Sequence, residues 1–328
     1  MTFAPPLLDI RDLSVCYPGL SGAACALRHI DLRLHAGEIL GVVGESGSGK
    51  TTLIAAVMRL LSGGAKIAGG EILFDGVDLA ALDEDGIRRL RGGGLALVGQ
   101  QPMAAFNPVL TLGRQLLDVQ YRDPAPAAEK QKRVLAMLKR VGISDPESQL
   151  GRYATQFSGG MLQRFSIAAA LLTRPRLLIA DEPTTALDTT TEAQILALLR
   201  EIRDEMGCSI LFVSHHLGSV ASLCDRVCVL YAGEVMESGP ARDIFTRPAH
   251  PYTRRLLECD PSAHHERAHR LPTIGGSLPD PASPLEGCVF APRCPEASSA
   301  CLSENPPLRR IGLGHLVACP RPHHERLA

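Results

Sequence analysis

The chain is poor in aromatic residues and carries no strong charge of either sign. Tryptophan is absent and aromatic residues make up 4% of the sequence, so no surface for stacking single-stranded bases is expected. The formal net charge is −1, which provides no bulk attraction for a polyanion. Composition therefore argues against a nucleic-acid partner.

Long hydrophobic runs are also missing. No run of about 18 apolar residues occurs, so no membrane-spanning helix is expected. Residues 1–10 lack the basic and apolar regions of a signal peptide. We therefore expect a cytoplasmic protein that reaches a membrane only through a partner. The hydrophobic fraction of 45% is nevertheless enough for a core, and the length of 328 residues allows about two domains.

A glycine-rich stretch at residues 44–51 is the feature around which the rest of the chain is organised. It reads G-x-x-x-x-G-K-T, with an apolar strand pattern before it at residues 39–43 and a helical pattern after it at residues 52–58. Such a turn directs backbone N–H groups and the positive end of a helix dipole at one point. Lys50 is expected to reach the β- and γ-phosphates, and Thr51 is expected to ligate Mg²⁺. The pattern predicts a nucleoside triphosphate site.

Tyr17 precedes this loop in a strand-like segment. It is placed to stack on a nucleotide base, although a tyrosine packed within its own strand explains the residue nearly as well. The predicted nucleotide-binding residues are Tyr17, Gly44, Glu45, Ser46, Gly47, Ser48, Gly49, Lys50, Thr51 and Thr52.

Polar groups of catalytic type follow two later apolar runs. Asp181 and Glu182 end the run that begins at residue 177, and paired carboxylates at a strand end are costly unless they serve a metal or a reaction. Asp181 suits the Mg²⁺ shell, and Glu182 suits a general base that orients the attacking water. His215 lies just beyond the apolar run at residues 209–214, where it can hydrogen-bond a γ-phosphate.

A wider set of motifs resembles one known family. Gln100, Ser158-Gly159-Gly160, Asp181-Glu182, Asp188 and His215 follow the glycine-rich loop in this order, as in the ATP-binding subunit of an ABC transporter. The resemblance covers about residues 8–255. It implies an α/β fold with a P-loop NTPase core of the ABC type, a β-rich N-terminal part and an inserted helical subdomain at about residues 102–170.

The same resemblance assigns roles to these residues. Gln100 is the Q-loop glutamine, which contacts Mg²⁺ and relays the state of the site to membrane subunits. Ser158, Gly159 and Gly160 form the signature loop, which serves the ATP of a partner ATPase. Asp188 lies in the loop that crosses the dimer interface, and His215 is the switch histidine.

Additional stretches narrow the resemblance to the peptide and nickel permease branch. They are residues 106–108, the His250-Pro251-Tyr252-Thr253 segment, residues 287–295 and residues 314–319. Gly99, Gln101 and His216 depart from the family pattern without removing a catalytic group. We predict an ABC ATP-binding domain at residues 1–257 and a small, irregular, cysteine-containing C-terminal domain at residues 258–328.

The ten cysteines divide into two groups. Four of them, Cys288, Cys294, Cys301 and Cys319, fall in the Pro- and Gly-rich tail, where clustered thiolates in a reducing cytosol indicate metal ligands before disulfides. The wide spacing favours a [4Fe–4S] cluster over Zn²⁺, with free thiols or disulfides as the third alternative. Some members of the branch that the chain resembles carry such a cluster. The others are expected to be buried apolar residues: Cys16, Cys25, Cys208, Cys224, Cys228 and Cys259.

The resemblance implies an ATPase that energises import of di- or oligopeptides on the cytoplasmic face of the cell membrane, with ATP and Mg²⁺ as cofactors. It implies a second ATPase subunit, two transmembrane permease subunits and an external substrate-binding protein as partners. A nickel or metal-chelate importer of the same branch is the alternative. A non-transport ABC ATPase acting in repair or translation is the alternative from another class, and a P-loop kinase would lack the signature and switch residues.

Overall fold

The helices and strands of the computed structural model fall into two units, and the structure describes residues 5–19, 22–185, 187–260, 272–282 and 286–323. We call Met1–Leu82 with Phe212–Ala328 the P-loop unit, and Asp83–Leu211 the signature unit. The mixture of a β-rich start, parallel strands and helices confirms the predicted α/β class.

The first part of the P-loop unit contains an antiparallel sheet and the strand and helix on either side of the P-loop. The sheet has the order β2-β1-β4-β5. All five residues of β3 are buried, as expected for a parallel strand covered on both faces. The predicted strand and helix around residues 44–51 are confirmed by β3 and α1. The elements are β1 (Leu8–Gly19), β2 (Gly22–Leu34), β3 (Ile39–Val43), α1 (Lys50–Val57), β4 (Lys66–Phe74) and β5 (Val77–Asp78).

The signature unit is mainly helical around a short parallel sheet with the order β8-β7-β6. Residues 119–126 separate α3 from α4, and Pro126, which cannot lie inside a helix, is the N-cap of α4. The longest helix, α7, is capped by Asp188 and ends at Gly207, which has a φ of 64°. The elements are α2 (Glu84–Leu90), β6 (Leu95–Val98), α3 (Leu112–Asp118), α4 (Ala127–Arg140), α5 (Pro146–Gln149), α6 (Gly159–Leu172), β7 (Leu177–Asp181), α7 (Thr189–Met206) and β8 (Ser209–Val213).

The last part of the P-loop unit continues a sheet in which β9 pairs in parallel with β3. β10 forms a hairpin with β9, and β12 then pairs with β10 and β11. A small apolar cluster of Ala249, Val317 and Cys319 packs beside these strands. The division into domains at residue 257 stays a prediction. The elements are α8 (Leu217–Leu223), β9 (Arg226–Tyr231), β10 (Glu234–Pro240), α9 (Ala241–Thr246), α10 (Pro251–Glu258), α11 (Ser299–Ser303), β11 (Arg309–Gly312) and β12 (His315–Val317).

The cysteines outside the tail follow the expectation only in part. Cys208, Cys224 and Cys228 are buried free thiols, as predicted. Cys16 and Cys25 are instead joined in a disulfide, so their assignment as apolar core residues is wrong. The reason is the antiparallel register of β1 and β2, which places these two residues directly opposite each other.

Candidate nucleotide-binding site

The P-loop connects β3 to α1 with backbone geometry that depends on glycine. Gly44 has a φ of 154°, and a Cβ atom there would lie 2.1 Å from the Leu230 carbonyl oxygen. Gly49 is the N-cap of α1 with a φ of 105°, in the left-handed region that L-residues rarely adopt. The loop can therefore lie against its neighbours while its N–H groups remain near the positive end of α1.

Lys50 is held inside the loop that it is expected to serve. Its ammonium donates to the carbonyl oxygens of Gly44 at 2.7 Å and Glu45 at 2.9 Å, and lies 3.4 Å from the Ser48 hydroxyl. The side chain is buried, whereas Thr51 and Ser46 are exposed. The loop thus concentrates one positive charge and several N–H donors, as phosphate binding requires.

Two further predicted residues belong to the same unit. The Tyr17 hydroxyl lies 3.4 Å from the Thr52 hydroxyl, so Tyr17 is placed at the start of α1. His215 is exposed just beyond β8 and lines a cavity with His216, Leu256 and Asp260. Base stacking by Tyr17 and phosphate contact by His215 stay predictions.

The signature unit brings Gln100 and Glu182 together. The Gln100 amide donates to the Glu182 carboxylate at 2.7 Å, and the Thr185 hydroxyl donates to the same oxygen at 3.1 Å. Glu182 follows β7 with a φ of 47°, a backbone conformation that few non-glycine residues adopt. Asp181 is the half-buried last residue of β7.

The predicted signature and dimer-loop residues begin two helices of this unit. Ser158 is the N-cap of α6, and its hydroxyl accepts from the Met161 N–H at 3.4 Å. Asp188 caps α7 by accepting from the Thr190 and Thr191 N–H groups at 3.1 and 3.0 Å. These hydrogen bonds, above all those from Thr191, lower the pKa of the Asp188 carboxyl. The exposed Gly159 continues the same turn as Ser158.

The sequence did not predict that residues near the C-terminus contact the P-loop. The Arg293 guanidinium lies 2.8 and 3.3 Å from the two carboxylate oxygens of Glu45, and the Glu45 N–H donates to the Tyr252 hydroxyl at 3.0 Å. A leucine side chain, Leu278, lies 3.2 Å from the position of a Cβ atom at Gly47. One indication that these residues matter was present in the sequence: Arg293 and Tyr252 both lie in the stretches that resemble the permease branch.

All four tail cysteines line one cavity, together with His250 and Glu296. Burial, followed by the neighbouring cysteines, raises the pKa of the Cys288 thiol to about 11, although the Phe290 N–H opposes this shift. The Cys288 N–H donates to the Cys301 carbonyl at 2.8 Å. Within the described ranges, no three His, Cys, Asp or Glu side chains form a group that could hold a metal ion. The fold therefore gathers the predicted four thiols without arranging them around a single ion.

No helix in the part of the chain that the structure describes is both long and apolar enough to cross a bilayer.

The chain is similar to known ATPase cassettes over most of its length. The family described as ABC transporter matches residues 27–185, and the family described as oligopeptide/dipeptide transporter, C-terminal region, matches residues 236–301. Among solved structures, a dimeric ATP-binding cassette bound to ADP and phosphate has a TM-score of 0.65 and 29% identity, covering 72% of this chain and 99% of that one.

Curated relatives extend the similarity across nearly the whole chain. A probable peptide ABC transporter ATP-binding protein of Sinorhizobium fredii is 45% identical, covering 95% of this chain and 94% of the relative. The oligopeptide transport ATP-binding protein OppD of Salmonella typhimurium is 42% identical, covering 98% and 95%. The chain therefore belongs to the ABC transporter ATP-binding proteins that carry the oligopeptide/dipeptide transporter C-terminal region.

Proposed function

We propose that this chain is the ATP-hydrolysing subunit that energises import of di- or oligopeptides through a membrane ABC transporter. The observation that carries the proposal is the joint presence of a formed P-loop and the C-terminal region described for oligopeptide/dipeptide transporters. The two relatives named above are described as peptide or oligopeptide transport proteins, which favours peptides over nickel or a metal chelate.

Hydrolysis follows from what the described side chains can do. Lys50 and the N–H groups of the P-loop bind the phosphates and offset their charge as the terminal phosphoryl group is transferred. Glu182, oriented by the Gln100 amide, acts as the general base toward the attacking water. Thr51, Gln100 and Asp181 are the residues that would hold Mg²⁺, which spreads the charge of the β- and γ-phosphates.

The site needs a second ATPase subunit. Ser158, Gly159 and Gly160 start α6 with exposed or half-exposed backbone, which suits binding of a phosphate from another subunit. We place the resulting pair on the cytoplasmic face of the membrane, attached to two permease subunits and supplied by an external substrate-binding protein. His215 would contact the γ-phosphate, and Asp188 would lie where the two ATPase subunits meet.

The test is uptake in a strain that lacks this chain. Labelled di- and oligopeptides should no longer accumulate, whereas labelled nickel should enter as before, and Lys50→Ala should fail to restore peptide uptake. Loss of nickel uptake alone would select the metal importer. A chain that never co-purifies with membrane proteins would instead indicate a non-transport ATPase.

We also propose a [4Fe–4S] cluster in the tail. Four thiols around one cavity supply the donor set, and such a cluster takes one thiolate at each iron rather than four at one ion. Zn²⁺ is the alternative occupant, and the wide spacing of the four cysteines in the sequence favours the cluster over it. Bound there, the cluster would cross-link α11, which contains Cys301, to the segments that carry Cys288, Cys294 and Cys319.

A further inference from the structure

We infer that Arg293 is a positioning residue for the P-loop: it holds the Glu45 carboxylate and offsets its charge next to the triphosphate site. The inference rests on the proposed function only in taking ATP as the ligand of the loop. Glu45 is the second residue of the G-x-x-x-x-G-K-T stretch, so its negative charge lies within the segment that must bind a polyanion.

The contact is a two-point ion pair between distant parts of the chain. Both terminal nitrogens of Arg293 face Glu45, at 2.8 Å to one oxygen and 3.3 Å to the other. The Arg293 side chain is only 6% exposed and that of Glu45 is 23% exposed, so water screens the pair weakly. Removing the arginine would leave a carboxylate uncompensated beside the phosphate-binding loop.

Other contacts hold the Arg293 side chain in place independently of Glu45. Its guanidinium also donates to the carbonyl oxygens of Ile274 at 2.9 Å and Gly275 at 2.7 Å. It lies 3.2 Å from the Tyr231 hydroxyl and 5.6 Å from the centre of the Tyr231 ring. Burial opposes its charge, but the hydrogen bonds to Glu45 and Tyr231 raise the pKa of Arg293 overall.

The backbone of Glu45 is held from the same side. Its N–H donates to the hydroxyl of Tyr252, which is fully buried against Tyr231 and Phe290. Side chain and backbone of one P-loop residue are therefore both bound by residues outside the ATPase motifs. The segment around Arg293 thus forms part of the nucleotide site, although none of the usual ATPase motifs includes it.

A charge effect and a packing effect can be separated with Glu45 itself. In Arg293→Gln, the side chain keeps polar donors but loses its charge, and we expect the Kd for ATP to rise about tenfold. Adding Glu45→Gln removes the uncompensated carboxylate, so the double variant should bind ATP within about threefold of the unaltered protein. Arg293→Lys keeps the charge, and its Kd for ATP should lie between those of Arg293→Gln and the double variant. The loss in Arg293→Gln should also shrink as salt is raised.

The matched control is Arg254→Gln, which breaks an ion pair with Glu296 in the same region, at 3.0 Å, without touching the P-loop. Its ATP affinity should not change. Equilibrium ATP binding and the thermal midpoint of each full-length variant are the measurements. If Arg293→Gln does not fold, Arg293→Lys decides, because one ammonium cannot contact both Glu45 oxygens as the guanidinium does, and its Kd for ATP must then rise by less than about tenfold but measurably. An unchanged Kd in Arg293→Lys would overturn the inference.

Two further outcomes would overturn the inference while leaving the proposed function intact. One is an Arg293→Gln protein that binds ATP as tightly as the unaltered chain. The other is a loss that persists in the double variant, which would mean that Arg293 acts only through packing. If the unaltered chain itself failed to bind ATP, the proposed function would be wrong instead.

Discussion

The Gln100 amide donates to one carboxylate oxygen of Glu182 at 2.7 Å, within the signature unit. The Thr185 hydroxyl donates to the same oxygen at 3.1 Å, so the orientation of the carboxylate is set by two neutral donors. A carboxylate that acts as a general base is more effective when hydrogen bonds already hold it in one orientation, because it then does not have to reorient before it takes a proton from water. The motif glutamine and the motif glutamate thus form one structural pair.

Glu182→Gln should nearly abolish ATP turnover and leave ATP binding unchanged. The amide has the size of the carboxylate and can still accept from Gln100 through its oxygen, but it cannot take a proton. Steady-state phosphate release and equilibrium ATP binding measure the two effects. Retained turnover would show that another group is the base.

The protein purified without oxygen should be brown and contain iron. The four cysteines around the tail cavity should hold about four irons per chain, as a [4Fe–4S] cluster requires. Iron and zinc analysis with visible absorption is the measurement. Cys301→Ser should lose most of the iron, whereas Cys228→Ser, a buried thiol of β9, should keep it. Colourless protein with stoichiometric zinc would exclude the cluster.

Glu237→Gln should destabilise the P-loop unit by about 2–4 kcal/mol. The Glu237 carboxylate is fully buried and accepts from the N–H groups of Ala249 at 2.8 Å and His250 at 2.9 Å. It also lies 2.7 Å from His315 Nε2. In Glu237→Gln, the NH₂ group of the new side chain would face one of these N–H donors, and that donor would lose its acceptor. Denaturant unfolding measures the change, and the partly exposed Glu258→Gln is the control, with an expected change near zero.

Stability should fall as the pH is lowered from about 6.5 to 4, in part because of His250. Burial lowers the pKa of His250 to about 4 from an ordinary value of 6.5, although Glu237 and Glu296 oppose the shift. Between pH 6.5 and pH 4, His250 is therefore protonated in the unfolded chain but largely neutral in the folded chain. This difference lowers the free energy of unfolding by about 3 kcal/mol at pH 4. Unfolding free energies measured across this range should show it.

His250→Asn is the matched variant for that experiment. His250 Nδ1 accepts from the Tyr252 N–H at 3.0 Å as the cap of α10, and an asparagine oxygen can take the same position. The variant should fold and lose this part of the pH dependence. If the free energy of unfolding fell equally with pH in both proteins, His250 would not be the group responsible.

The parts of the fold that follow from short sequence patterns were predictable. Residues 39–58 encode β3, the P-loop and α1 in one continuous stretch, which is why their pattern predicts all three. The pairing of Cys16 with Cys25 was not predictable, because it depends on the exact register of β1 against β2. A shift of one residue would have separated the two thiols.

The contact of Arg293 with Glu45 was beyond prediction for a different reason. The two residues are 248 positions apart, and neither local periodicity nor a motif of fixed spacing links them. The four tail cysteines could be foreseen as a group, because they stand together in the sequence. Their placement around one cavity with His250 and Glu296 required coordinates.

The pairing of β12 with β10 has a consequence for any shortened form of the chain. Glu237 and Ser238 of β10 are opposite Val317 and Leu316, and the Ala318 N–H donates to the Met236 carbonyl at 2.8 Å. If the chain ended after α10, β12 would be missing and the edge of β10 would be exposed. Such an edge can pair with strands of other molecules. The cysteine-containing tail, through β12, thus covers a strand edge that a shortened chain would expose.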